Sequence, residues 1–337
     1  MKREEITKIS VIAMLMISWV LFSGCQNSET PSEILDKVAK LIDQKDNETA
    51  VSILRPFVYH HQDNYTAHLL MGKAYLNNDA DNDRDLYVAR YYFKKAQDLA
   101  ENEMQREKAA LMYADVKLLM GKGNQSGEVI LETADRAGIM GRESQAARLC
   151  IQAASQFIEA NEYKNAQKAC QTGLKYADTE NQEFDLRLGL ATAFFLDSEY
   201  LQSHENLKKL PINSNPNCRI TSLDKTFLGH AVQLMMLKSK RHKILRWKKE
   251  FDKNIQKQFV SNFNSMVNYL EKNRSLLDKK KAKLVAESCQ IIAEYSKDNN
   301  MLRQARTAYK FAKSYFADAD LGDEAMSVAE NIADLNS

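Results

Sequence analysis

The chain has 337 residues with only 11 Gly, 4 Pro and 27% charged side chains, a balance that favours helices and excludes the turn-rich architectures of all-β domains. Its 47 basic residues against 45 acidic ones leave a formal net charge of +2, which excludes the strongly basic character of a general nucleic-acid binder. In chain order, the first predicted element is an uncharged apolar run from Ile9 to Phe22, preceded by Lys2 and Arg3 and followed by Ser23, Gly24 and Cys25. A basic start, an apolar middle and small residues before a cut form the layout of a secretory signal. The run is about 14 residues long, short of the roughly 20 that a membrane-crossing helix needs. Residues 1–24 are therefore expected to be a signal peptide, and 25–34 a tether.

The four residues Phe22-Ser23-Gly24-Cys25 resemble a lipobox, although leucine is commoner than phenylalanine at the first position. The resemblance implies a bacterial lipoprotein in which Cys25 takes a diacylglyceryl group through its thiol and becomes the first residue. An ordinary secretory cleavage beside an incidental cysteine is the competing reading. More than one acyl chain, at about 0.8 kcal/mol per buried methylene, makes such an attachment effectively permanent. Because Gln26 is not aspartate, the family's sorting rule implies the outer membrane, with the protein facing the periplasm of the cell envelope. A helix beginning near Pro31 would keep the folded body within about 20 Å of the anchor, at ~3.5 Å per residue.

Residues 35–210 carry an internal repeat. Ala154, Phe157, Tyr163, Ala166, Cys170 and Gly173 recur, each 37 positions later, as Ala191, Phe194, Tyr200, Ser203, Leu207 and Leu210. Gly72, Tyr75, Ala89, Phe93 and Ala96 form an earlier copy. Weaker copies lie at Ala50, Leu54 and Phe57, and at Ala114, Ser126, Ile130 and Thr133. Small residues belong where two helices of a hairpin approach, and large ones fill the space between hairpins. The alternation of small, aromatic and small residues resembles the tetratricopeptide repeat (TPR), without that family's first-helix tryptophan or closing proline. The expected fold is all-α, a TPR-like α-solenoid of antiparallel helix hairpins with a C-terminal capping helix. A generic helical bundle is the alternative.

Pro211 to Pro216 break the helical pattern, so 211–219 reads as a linker and 220–337 as a C-terminal helical region. Within it are expected a helix over Thr221–Ser239, a long basic stretch over Lys240–Asn273 and a final repeat with Ala293, Leu302, Ala305, Tyr309 and Ala312. A cap over Leu321–Leu335, with Ala325, Val328, Ala329 and Ile332 on one face, closes the chain. The run Lys238–Lys257 holds nine Lys or Arg against Glu250 and Asp252, with Ile244, Trp247, Phe251, Ile255 and Phe259 at helical spacing. Its candidate membrane-surface residues are Lys240, Arg241, Lys243, Arg246, Trp247, Lys248 and Lys249, suited to anionic lipid or anionic glycan. A core-packed helix kept soluble by its lysines is the competing reading.

The TPR resemblance also implies a groove lined by the first helix of each hairpin. Its positions fall on Lys73, Asn77, Lys108, Asp115, Arg148, Ser155, Glu159, Asp185, Thr192 and Phe195. Mixed charges and amides there suit an extended protein or peptide partner. Other motifs fail their tests. The loop with Asp79, Asp81, Asp83 and Asp85 has Arg84 where a calcium loop needs glycine and Arg90 where it needs glutamate. His60, His61, His68, His204, His230 and His242 show no metal-ligand spacing, and Gly121–Gly127 lacks the lysine and hydroxyl of a phosphate loop. Cys150 and Cys170 fit either a bridge across one hairpin or two buried thiols, and Cys218 and Cys289 stand apart. No set of nucleophile, base and orienting group is present, so neither a cofactor nor catalysis is expected. The resemblance implies a membrane-anchored interaction scaffold of the bacterial envelope, in the company of lipoproteins of assembly and export machinery. A glycan-binding lipoprotein is the alternative; it needs several exposed aromatic rings, whereas most aromatics here fall at packing positions.

Overall fold

The computed structural model describes residues 29–78, 83–210, 223–244 and 249–335, with the backbone alone at 78, 83, 237–244 and 249–255. Cys25 and Cys218 lie outside the described residues, as do Arg246, Trp247 and Lys248. So do the side chains of Lys240, Arg241, Lys243 and Lys249. All regular structure among the described residues is helical, in two compact units divided between Ala109 and Ala110.

The first unit contains α1 (Pro31–Asp43), α2 (Asn47–His60), α3 (Tyr65–Asn78), α4 (Asp83–Leu99) and the start of α5 (Glu103–Leu119). Helix α1 begins where the local chemistry dictates. Thr30 accepts from the Glu33 amide at 3.3 Å while the Glu33 carboxylate accepts from the Thr30 amide at 2.7 Å, and Pro31 needs no donor in the first turn. The core of this unit joins Val38, Ala50, Leu54, Met71 and Ala74. A Cβ added at Gly72 would lie 2.6 Å from the Phe93 ring, so glycine is what lets α3 and α4 close on each other.

The second unit continues through α6 (Gly123–Ile139), α7 (Glu143–Glu159), α8 (Tyr163–Tyr176), α9 (Glu180–Leu196) and α10 (Tyr200–Lys208). Then follow α11 (Lys225–Ile244), α12 (Lys249–Asn273), a 3₁₀ turn (Arg274–Leu276), α13 (Lys279–Asp298), α14 (Leu302–Asp318) and α15 (Gly322–Asp334). Each helix packs on its successor from α6 to α12 and from α13 to α15, and α7 also packs on α9, the next first helix, as stacked hairpins require. The repeat positions are where the pattern needs them: Ala154, Phe157, Ala166, Cys170, Ala191, Ala305, Tyr309 and Ala312 are all buried. Helix α15 caps the stack through Ala325 and Val328.

One turn geometry recurs. Lys45, Gly121, Gly141, Asn161, Ser198, Asn300 and Asp320 all have positive φ directly after a helix. At Asn161 its amide donates to the Ile158 carbonyl at 3.1 Å, and the next amide, of Glu162, donates to the Phe157 carbonyl at 2.8 Å. This pair of bonds is the Schellman closure, which satisfies the last carbonyls of one helix and starts the next within three residues.

One hydrophobic core runs from Ala114 to Val328 and draws on residues both before 211 and after 219. Of the basic stretch, residues 245–248 lie outside the described residues; α11 and α12 describe the backbone on either side.

Candidate interaction surface

The ten groove positions fall on four first helices, and their surroundings change along the chain. On α3, Lys73 is half-buried and Asn77 exposed. On α5, Lys108 in the first unit and Asp115 in the second are both exposed, and Leu119 at the end of the helix keeps 51% of its surface open. Asp115 is reached by solvent, yet desolvation by the protein around it pushes its carboxyl above the usual range.

On α7 the face begins to close. Arg148 is exposed and donates to Gln145 Oε1 at 2.6 Å. Two and three turns further on, Ser155 is buried and donates to the Ile151 carbonyl, and Glu159 pairs with Lys280 at 2.9 Å. Lys283 reaches the Glu159 carbonyl at 3.2 Å. Both lysines belong to the first turns of α13, more than a hundred residues along the chain.

On α9 the face is shut. Asp185 is buried, and Thr192 and Phe195 have 0% exposure. The Thr192 hydroxyl donates to the Leu188 carbonyl at 2.9 Å and accepts from the Leu223 amide at 3.2 Å, so the segment entering α11 lies directly on it. Phe195 packs against Tyr200, ring centroids 5.6 Å apart, within the common core. Thr192 and Phe195 are thus buried among the described residues, Thr192 beneath the segment that enters α11.

The polar seam beside this closure is charged. Glu287 of α13 is mostly buried; its Oε1 lies 3.5 Å from Lys283, and its Oε2 has no hydrogen-bond partner among the described residues. Burial raises its carboxyl above the usual range, against the pull of Lys283. Lys164 bridges Asp197 at 2.6 Å and also pairs with Glu199. Sequence reasoning did not single out Lys280, Lys283, Glu287 or Leu223; the lysine cluster 279–281 was the available signal.

The other candidates are structural. Cys150, Cys170 and Cys289 are buried free thiols, and burial pushes Cys150 up to about 12, so it stays protonated. His68 is buried, with Nε2 2.9 Å from the Gln62 carbonyl. Gly121 and Lys122 form a helix–helix turn and Gly123–Gly127 opens α6. Of the aspartate loop, Asp79 and Asp81 lie outside the described residues, as does the Asp83 side chain, and Asp85 is buried. Among the described residues there is no cluster of His, Cys, Asp or Glu fit to hold a metal, and no helix is long and apolar enough to cross a membrane.

Comparison of the sequence with family models and with curated proteins finds no match. Among solved structures, the chain is similar to the C-terminal part of a TPR repeat-containing protein from Cytophaga hutchinsonii. Identity is 12% over 87% of this chain and 98% of that one, with a TM-score of 0.44. It is also similar to a Rap protein complexed with competence and sporulation factor, at 8% identity over 90% of this chain and 97% of that one, with a TM-score of 0.36. These likenesses concern the helical-repeat fold and carry nothing about a ligand.

Proposed function

We propose that this protein is a lipid-anchored, non-catalytic interaction scaffold of the bacterial cell envelope, at the outer membrane, which holds a protein or peptide partner on the open groove positions of α5 and α7. The observation that carries the reading is the gradient along the groove: Asp115 and Arg148 remain accessible where the corresponding residues of α9 are sealed. An exposed carboxylate on the same helix as half-buried Leu111 and Leu118 offers a partner both an apolar floor and a charged contact. The anchor rests on the apolar run and small residues that precede Cys25.

Photo-crosslinking residues placed at Asp115 and Arg148 in cells are expected to capture one common partner, and the same residue at Lys168, exposed on α8, none. Equal capture at Lys168, or none at Asp115 and Arg148, would remove the groove reading. For the anchor, Cys25→Ser is expected to abolish lipid labelling and leave the longer precursor; undiminished labelling would sink it.

A further inference from the structure

Helix α4 turns Leu86, Ala89, Phe93 and Ala96 into the core, which forces Tyr87, Tyr91 and Lys94 onto the opposite side at helical spacing. Tyr87 is 50% exposed and Tyr91 55%, two aromatics outside the packing positions. Both rings are braced. The Arg90 guanidinium lies over Tyr87 at 5.1 Å, and Tyr91 meets the edge of Tyr92 at 5.2 Å. Tyr92 in turn stacks on Tyr75 at 6.1 Å. Lys94 and Lys95 are exposed further along α4, Lys94 pairing with Asp98 at 3.4 Å, and between Arg84 and Lys95 the only acid is Asp85, which is buried.

We infer that this face of the first unit, centred on Tyr87, Arg90, Tyr91 and Lys95, rests on an anionic lipid surface. Tyrosine places an apolar ring and a polar tip at the level of the headgroups, and basic side chains beside it are drawn to anionic lipid. The charge is complementary, and the length of chain before α1 names the occupant. Five residues separate Cys25 from Pro31, a span of at most about 20 Å, so a lipidated Cys25 holds this unit against the bilayer. The inference rests on the proposed anchor for that proximity, and it differs from the 240–249 stretch in sequence and in place.

The test uses the chain from residue 25 onward with Cys25→Ser, so that no lipid contributes, mixed with vesicles of phosphatidylcholine containing about a third phosphatidylglycerol. Binding is expected to the anionic vesicles, to weaken with salt and to be lost on pure phosphatidylcholine. Tyr87→Ser with Tyr91→Ser, and separately Arg90→Gln with Lys95→Gln, should each weaken it about tenfold at an unchanged melting temperature. Lys310→Gln with Lys313→Gln, exposed on α14, should leave it unaltered. Binding indifferent to the α4 variants, or abolished only by Lys240→Gln with Lys243→Gln, would overturn the assignment. So would α4-dependent binding to a soluble acidic polysaccharide without any to vesicles. Loss of the anchor reading would show separately, as persistent lipid labelling of Cys25→Ser in cells.

Discussion

Helices α5 and α9 hold the same place in their hairpins and meet opposite fates. Asp115 and Thr192 are equivalent in register, one following the small residue Ala114 and the other following Ala191, yet Asp115 is exposed and Thr192 has no exposed surface. The difference is not built into either helix or its turn, since both end in the same Schellman closure, at Gly121 and at Ser198. It comes from what the chain lays on top: Leu223 on Thr192, and Lys280 and Lys283 on the end of α7. A repeat pattern thus states which residues face the groove, while distant sequence decides whether the groove is empty.

The largest effect should come from truncating the sealed face. Phe195→Ala is expected to destabilise the protein by about 3–5 kcal/mol, whereas Leu119→Ala on the open helix should cost roughly 0.5 kcal/mol or less. Denaturant unfolding measures both, and equal losses would break the contrast. Next, Thr192→Val should cost about 1–3 kcal/mol, because it strands the Leu223 amide in the interior. The matching change at Asp115 should be near neutral in stability, and a cost as large as that at Thr192 would show that α5 is covered too.

A smaller effect concerns the seam. Burial raises the Glu287 carboxyl, so the group favours the fold while protonated, and that contribution is lost as pH rises through its folded-state value. Glu287→Gln should therefore raise the melting temperature at neutral pH, with the gain fading as pH falls to about 4. A gain that persists or grows in acid would contradict the buried position of α13. Smallest of all, Ser198→Gly should stabilise by about 0.5–1 kcal/mol, since glycine relieves the left-handed strain at some entropic cost, and Gly121→Ser should do the reverse. Opposite signs would confirm that the turns of the open and sealed halves are interchangeable.

The hairpins were legible in the sequence because their determinants are local. Ala154, Phe157, Ala166 and Gly173 sit three to nine residues apart and report one helix pair, and the structure buries all four. The sealing of α9 was not, because Thr192 gives no local sign of Leu223, and Glu159 none of a lysine 121 residues away. The exposed tyrosines were within reach: once Ala89 and Phe93 are placed inward, a 3.6-residue period turns Tyr91 outward. Counting aromatics as core by type, and not by register, hid them.

The seam between α13 and the end of α7 admits one direct measurement. Zero-length carbodiimide coupling of the native protein, followed by peptide mapping, should join the Glu159 carboxylate to the Lys280 amine, which lie 2.9 Å apart. Recovery of that isopeptide places the C-terminal helices over the second half of the groove. Its absence, with Lys280 found joined elsewhere or left free, would mean that α13 does not cover the end of α7 and that Glu159 faces a partner.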